Sequence, residues 1–140
     1  MILLDTNGLL AAFLPHQPHH AECMRALAHA EPPRILSPFV AAEVDYFLVK
    51  FAGVDGEIVF LEELMAGVYE LAPFTNDDVA AAQAVVEQYR SLRIGLADAS
   101  IVVLAERYGT RDILTLDERH FRALRPLTGR KSFRLLPADA

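Results

Sequence analysis

Four acidic residues, Asp5, Glu43, Asp98 and Asp117, stand out by what surrounds them. Asp5 follows the apolar run Ile2, Leu3 and Leu4, and Asp117 lies just beyond Ile113 to Thr115, so two buried strands each release an acid at the carboxyl end. Glu43 and Asp98 fall early in segments of helical periodicity. Singly, each has an ordinary explanation: an acid in the first turn of a helix complements its dipole, and an aspartate before a short helix caps it. The joint arrangement has none. In a parallel sheet, strand ends and the helices that follow them converge on one crevice. Carboxylates gathered there repel and raise one another's pKa unless a divalent cation neutralises them, and hard oxygen donors select Mg²⁺ or Mn²⁺. Such a cation lowers the pKa of a bound water and stabilises negative charge that develops beside it.

The elements that must position these acids are legible as an alternation of strands and helices. Strands are expected near 2–5, 35–37, 68–72, 113–115 and 133–136, and helices near 7–14, 18–30, 38–52, 55–66, 76–91, 96–108 and 118–123. This order gives an α/β fold with a mainly parallel five-stranded sheet in one domain spanning 1–140. The best-marked helix starts at Ser37-Pro38, an N-cap followed by proline at the first helical position, and ends before Gly53. Its apolar stripe is Val40, Val44, Phe47, Leu48 and Phe51. At 100° per residue Glu43 lies about 60° from Val40, on the edge of that stripe, whereas Asp45 lies about 140° away and is expected to face solvent.

The chain has 140 residues, 53% of them apolar, and no apolar run approaches the roughly 20 residues of a membrane span. With no signal-peptide pattern at its start, the expectation is a cytoplasmic protein. The single Cys23 has no thiol partner and is assigned to packing. A net charge of −6 argues against a nucleic-acid partner, but the charge is segregated. Residues 1–89 hold 3 basic and 13 acidic side chains; residues 90–140 hold 10 basic and 6 acidic. Arg90, Arg93, Arg119, Arg122, Arg125, Arg130, Lys131 and Arg134 thus form a basic surface on an acidic protein, suited either to phosphates or to plain solvation.

The segments LLDTNGLLA, SPFVAAEV and IGLADASIVVLAERYGTRDILTLDERHF resemble the PIN-domain ribonucleases, in particular the VapC toxins of bacterial toxin–antitoxin pairs. The resemblance implies a three-layer α/β/α fold and an Mg²⁺-dependent endoribonuclease, with Mn²⁺ able to substitute. It carries Asp5, Glu43, Asp98 and Asp117 onto the family's acidic site, with Asp5 and Asp98 as direct metal ligands, Asp117 as a ligand directly or through water, and Thr6, Asn7 and Thr115 as polar support. Whether Glu43 completes the metal site or orients water is open. Arg93, Arg119, Arg122 and Arg125 are the candidate RNA contacts. A VapB-type antitoxin and a homodimer follow from the family alone, as does inhibition of translation by cutting tRNA or the sarcin–ricin loop of ribosomal RNA. SPFVAAEVDYFLV resembles the ribosomal-loop cutters.

Competing readings fit less well. A haloacid-dehalogenase-type phosphotransferase has DxDxT where this chain has Asn7, and a receiver domain needs an acidic pair after the first strand. A noncatalytic PIN-like module, or a PIN nuclease outside a toxin–antitoxin pair, remains the alternative; the complete set of acids counts against the former. His16, His19 and His20 in HQPHH read as a solvated loop rather than a metal cluster, and His120 as a helix-surface residue beside the core residue Phe121. Phe39, Tyr46, Phe47, Phe51 and Phe60 read mainly as core, with some lining an apolar groove.

Overall fold

The computed structural model describes residues 1–129 and 131–140; the Arg130 of the basic surface lies outside the described residues. Five strands, β1 (Ile2–Leu4), β2 (Arg34–Leu36), β3 (Glu70–Leu71), β4 (Asp112–Leu114) and β5 (Arg134–Leu136), form one sheet in the order β3-β2-β1-β4-β5. Every pairing is parallel, with Leu3 registered against both Ile35 and Ile113. The expectation of a mainly parallel sheet therefore becomes an all-parallel one. The chain builds outward from β1 to β3, then returns to the other side of β1 with β4. That reversal makes the carboxyl ends of β1 and β4 the natural crevice of the fold.

The helices are α1 (Thr6–Phe13), α2 (His20–His29), α3 (Pro38–Met65), α4 (Asn76–Gln88), α5 (Leu96–Tyr108) and α6 (Glu118–Ala123), giving α/β/α layers. The break expected before Gly53 lies inside α3, where Gly53 takes φ 69° and ψ −172°, a conformation that glycine adopts without a Cβ penalty. The two expected helices are thus both present, joined end to end at the kink and sharing the label α3. Ser37 caps it by accepting from the Phe39 N–H, and Pro38 opens it. Thr75 and Asp78 form a capping box on α4.

The middle strands and α5 make the core. Ile2, Leu3, Leu4, Ile35, Leu36, Ile113 and Leu114 are buried, as are Ala99 to Ala105 around nearly the whole of α5. Helix α5 packs against β1, α3 and α4, which is why it buries more than the single stripe its periodicity implies. Gly8 fixes how closely α1 approaches the sheet. A Cβ at this position would lie 2.5 Å from the Leu114 carbonyl oxygen, so only glycine lets the first turn of α1 sit on the end of β4. That approach brings Asp5 and Asn7 to the strand end that carries Thr115 and Asp117.

Candidate active site

Asp5 is the innermost acid, 5% exposed, at the point where β1 hands over to α1. Its backbone N–H continues the parallel ladder to the Leu114 carbonyl at 3.0 Å, so the strand itself aims the side chain. Asp5, rather than Thr6 or Asn7, is the N-cap: its Oδ1 accepts from the Thr6 N–H at 2.8 Å. This frees the other two polar residues for longer contacts. The Thr6 hydroxyl donates to Glu43 Oε1 at 2.8 Å, and Asn7 Oδ1 accepts from the Leu116 N–H at 2.9 Å.

Thr115 is the hub of the arrangement. Its buried hydroxyl donates to Asp5 Oδ2 at 2.6 Å and accepts from the Asp117 N–H at 2.9 Å, tying the acids of β1 and β4 together. Asp98, half-buried, enters from the first turn of α5. A second polar link holds the helices that carry Glu43 and Asp98: Ser37 and Ser100 share a hydrogen bond of 2.6 Å, both fully buried, and the Ser100 hydroxyl also reaches the Ala97 carbonyl. Sequence reasoning used Ser37 only as a cap and passed over Ser100; the Ser two residues after Asp98, on the buried side of its helix, was the available signal.

Asp5, Thr6, Asn7, Glu43, Asp98 and Asp117 therefore line one crevice, with Leu10, Phe47 and Phe51 as its apolar wall. Its volume is about 330 Å³. No Lys or Arg lines it among the described residues. The electrostatic result is direct. Burial pushes the Asp5 carboxyl up to about 7, against the hydrogen bond from Thr115, and the charges of Asp98 and Asp117 add to the rise. Burial likewise raises Asp98, with Asp117 and Glu43 adding repulsion and His120 partly offsetting it. Such a constellation, oxygen-rich and short of positive charge, suits a divalent cation; among the described residues the donor atoms near enough to share one belong to Asp98, Asp117 and His120, and Asp5 lies outside that group.

His120 is the residue that sequence reasoning left outside. Helix α6 turns it inward, with Nδ1 3.1 Å from Asp98 Oδ2 and 3.0 Å from Asp117 Oδ2. Asp117 caps that helix by accepting from the His120 N–H at 2.9 Å, so the spacing Asp-x-x-His was the overlooked signal. Asp45 also departs from expectation. It is only partly exposed and lies across the kink of α3 beside Glu57, whose carboxyl it pushes up, whereas Glu43 is the more exposed of the pair and faces the crevice.

The other candidates disperse. His19 pairs with Glu22, and His20 hydrogen-bonds the Ala11 carbonyl, so HQPHH forms no common centre. Arg122 is bidentate to Asp139 and also meets Glu118, which leaves little of its guanidinium for RNA. Arg93, Arg119 and Arg125 are exposed, and Arg125 is partly engaged with the Arg122 carbonyl. A cavity of about 590 Å³ lies away from the acids beside Arg25, His29, Asp112 and Arg134; there Asp112 and Arg134 neutralise each other at 3.0 Å.

Comparison with known proteins identifies the family. The PIN domain model matches residues 2–125. Ribonuclease VapC26 of Mycobacterium tuberculosis is 43% identical over 136 residues, covering 97% of this chain and all of that protein. Among solved structures, M. tuberculosis VapC20, described as a sarcin–ricin loop cleaving toxin, superposes with a TM-score of 0.80 at 18% identity, covering 88% of this chain and 95% of that one. FitAcB from Neisseria gonorrhoeae gives a TM-score of 0.64 at 26% identity, covering 88% of this chain and 92% of that one. VapBC2 from Rickettsia felis, bound to a promoter DNA fragment, gives 0.63 at 22%, covering 89% and 93%. With an all-parallel sheet that gathers its acids at the β1/β4 switch point, and a near full-length relative of the same kind, the chain belongs to the PIN-domain family and, within it, to the VapC ribonucleases.

Proposed function

We propose that this protein is the toxin of a VapBC-type pair, a divalent-metal-dependent endoribonuclease that blocks translation by cutting a structured RNA. The observation that carries the reading is the convergence of Asp5, Glu43, Asp98 and Asp117 on one crevice whose lining has no Lys or Arg among the described residues. Asp5, Asp98 and Asp117 would hold Mg²⁺ or Mn²⁺, which when bound lowers the pKa of a water and offsets charge on the phosphoryl oxygens. The chain's own residues do the positioning. Thr115 fixes the Asp5 carboxylate and the Asp117 backbone, while Thr6 holds Glu43 at the rim, where its carboxylate can take or orient a water proton. Phe47 and Phe51, stacked at 6.1 Å, offer an unpaired base a flat face. Arg93, Arg119 and Arg125 are the proposed contacts to flanking phosphates.

The target we favour is the sarcin–ricin loop, supported by the fold likeness to VapC20, with tRNA as the second reading. An antitoxin and a second copy of the chain are the proposed partners. Beyond its kink α3 exposes Val54, Ile58, Val59 and Met65, more apolar surface than a lone helix leaves to water, and the relatives crystallised as VapBC2 and FitAcB support a paired toxin. No helix among the described residues is long and apolar enough to cross a membrane; a cytoplasmic site of action is proposed from the likeness to the VapC ribonuclease.

The test is the product. Hydrolysis by activated water leaves a 5′-phosphate and a 3′-hydroxyl, whereas histidine acid–base catalysis through the ribose 2′-hydroxyl leaves a cyclic phosphate and a 5′-hydroxyl. RNA cut by the purified protein should ligate to a 5′-phosphate-requiring adaptor without kinase treatment, and cutting should stop in excess EDTA. Cleavage that persists in EDTA and needs kinase treatment before ligation would remove the metal from the mechanism.

A further inference from the structure

The acidic crevice does not consist of oxygen alone. Asp98, Asp117 and His120 form the one group of three metal-ligating side chains found among the described residues whose donor atoms all lie within 4.8 Å of one another. His120 Nδ1 stands 3.1 Å from Asp98 Oδ2 and 3.0 Å from Asp117 Oδ2. Two carboxylate oxygens thus crowd a single ring nitrogen, which has one proton or one lone pair to offer. Only the Asp98 contact has the direction of a hydrogen bond. The spacing has another natural reading, since donors about 2.1 Å from a six-coordinate cation sit about 3.0 Å apart at right angles. The protein also holds the ring in position. It is half-buried, its backbone N–H is bound to Asp117 Oδ1, and the next residue, Phe121, is anchored in the core against Phe133.

We propose that His120 is a ligand of the catalytic cation, supplying a nitrogen beside the carboxylates of Asp98 and Asp117, so that the site takes Mn²⁺ in preference to Mg²⁺. This rests on the reading of the crevice as a metal site and adds a donor to it. The consequence is chemical. Imidazole is a borderline ligand that suits transition metals, while Mg²⁺ is served best by oxygen and gives up its waters reluctantly. A carboxylate-only site and a site with one ring nitrogen therefore rank the two ions differently.

Pulsed EPR of Mn²⁺ bound to the intact protein reads this directly. Wild type should show a directly coupled nitrogen whose signal changes to the ¹⁵N pattern when histidine is ¹⁵N-labelled. His120→Ala should lose that coupling, and the ratio of Mn²⁺ to Mg²⁺ affinity should fall roughly tenfold. His120→Asn, which retains a polar group at the same place, guards against a folding defect, with circular dichroism as the check on both variants. Mn²⁺ that binds wild type without a coupled nitrogen, or a coupling that survives in His120→Ala, overturns the assignment while leaving the carboxylate site standing. Loss of Mn²⁺ binding in Asp98→Asn is expected; Mn²⁺ binding that ignores this substitution overturns both the assignment and the metal reading beneath it.

Discussion

Asp5 and Asp139 each lie just beyond a strand of the same sheet, and their electrostatic fates are opposite. Asp139, after β5, receives both Arg122 amino groups at 2.8 and 2.7 Å and the Leu135 N–H at 2.8 Å, and its carboxyl is held down to about 2. Asp5, after β1, is buried among other acids with hydroxyl and amide donors but, among the described residues, no cation, and is pushed up to about 7. Asp78 repeats the first pattern, drawn down by the Thr75 backbone and by Arg107; Asp98 repeats the second. The protein thus has the means to neutralise an acid and uses them away from the crevice. An uncompensated cluster in such a chain marks a place where the missing charge comes from outside.

The sharpest way to test that contrast is to neutralise one acid of each kind. Asp98→Asn should reduce metal-dependent RNA cleavage on the order of 10³-fold, the several kcal/mol that an effective cation supplies to the transition state, whereas Asp139→Asn should leave the cleavage rate near wild type and lower only the melting temperature. Comparable rates for the two variants would erase the distinction between catalytic and structural acids.

The second test exploits the cost of the cluster. A carboxyl whose pKa is raised by folding destabilises the fold when it ionises: the cost is absent below its unfolded value near 3.8, grows as pH rises, and is complete above about 7. In EDTA, denaturant melts of wild type and Asp5→Asn should therefore converge near pH 4 and separate by pH 8, the variant being more stable by at most about 4 kcal/mol. Excess Mg²⁺ should narrow the gap by stabilising only the wild type. A gap that is the same at both pH values would show that the Asp5 charge is not the liability.

A smaller effect belongs to the hub. Thr115→Val keeps the volume but removes the hydroxyl that fixes Asp5 and the Asp117 backbone, and should lower cleavage about 10- to 100-fold. Smallest of all is Asp45→Asn. Because Asp45 meets Glu57 rather than the crevice, this change should leave cleavage within about twofold of wild type, on the scale of ordinary surface substitutions, while Glu43→Gln causes a clear loss. Both are read by the rate of cutting a labelled RNA at saturating metal.

What the sequence by itself determined is the order of the elements and the identity of the acids. Short apolar runs ending in Asp5 and before Asp117 specify strands whose carboxyl ends are charged, and their alternation with helices leaves a parallel sheet as the consistent solution. Helical phase was enough for Glu43, which is anchored by the buried Val40, Val44 and Leu48 on the same helix. Phase failed where an element is short or bent. Helix α6 has six residues, too few for a periodic stripe, so only its docking through Phe121 decides that His120 turns toward Asp98. Asp45 is brought beside Glu57 by the break at Gly53, which no straight-helix projection contains. The remaining decisions are partnerships between residues distant in sequence: Ser37 with Ser100, Thr115 with Asp5, Arg122 with Asp139. A polar side chain carries no local signal of which donor will reach it; that is settled when the sheet closes and burial forces each buried group to find a partner.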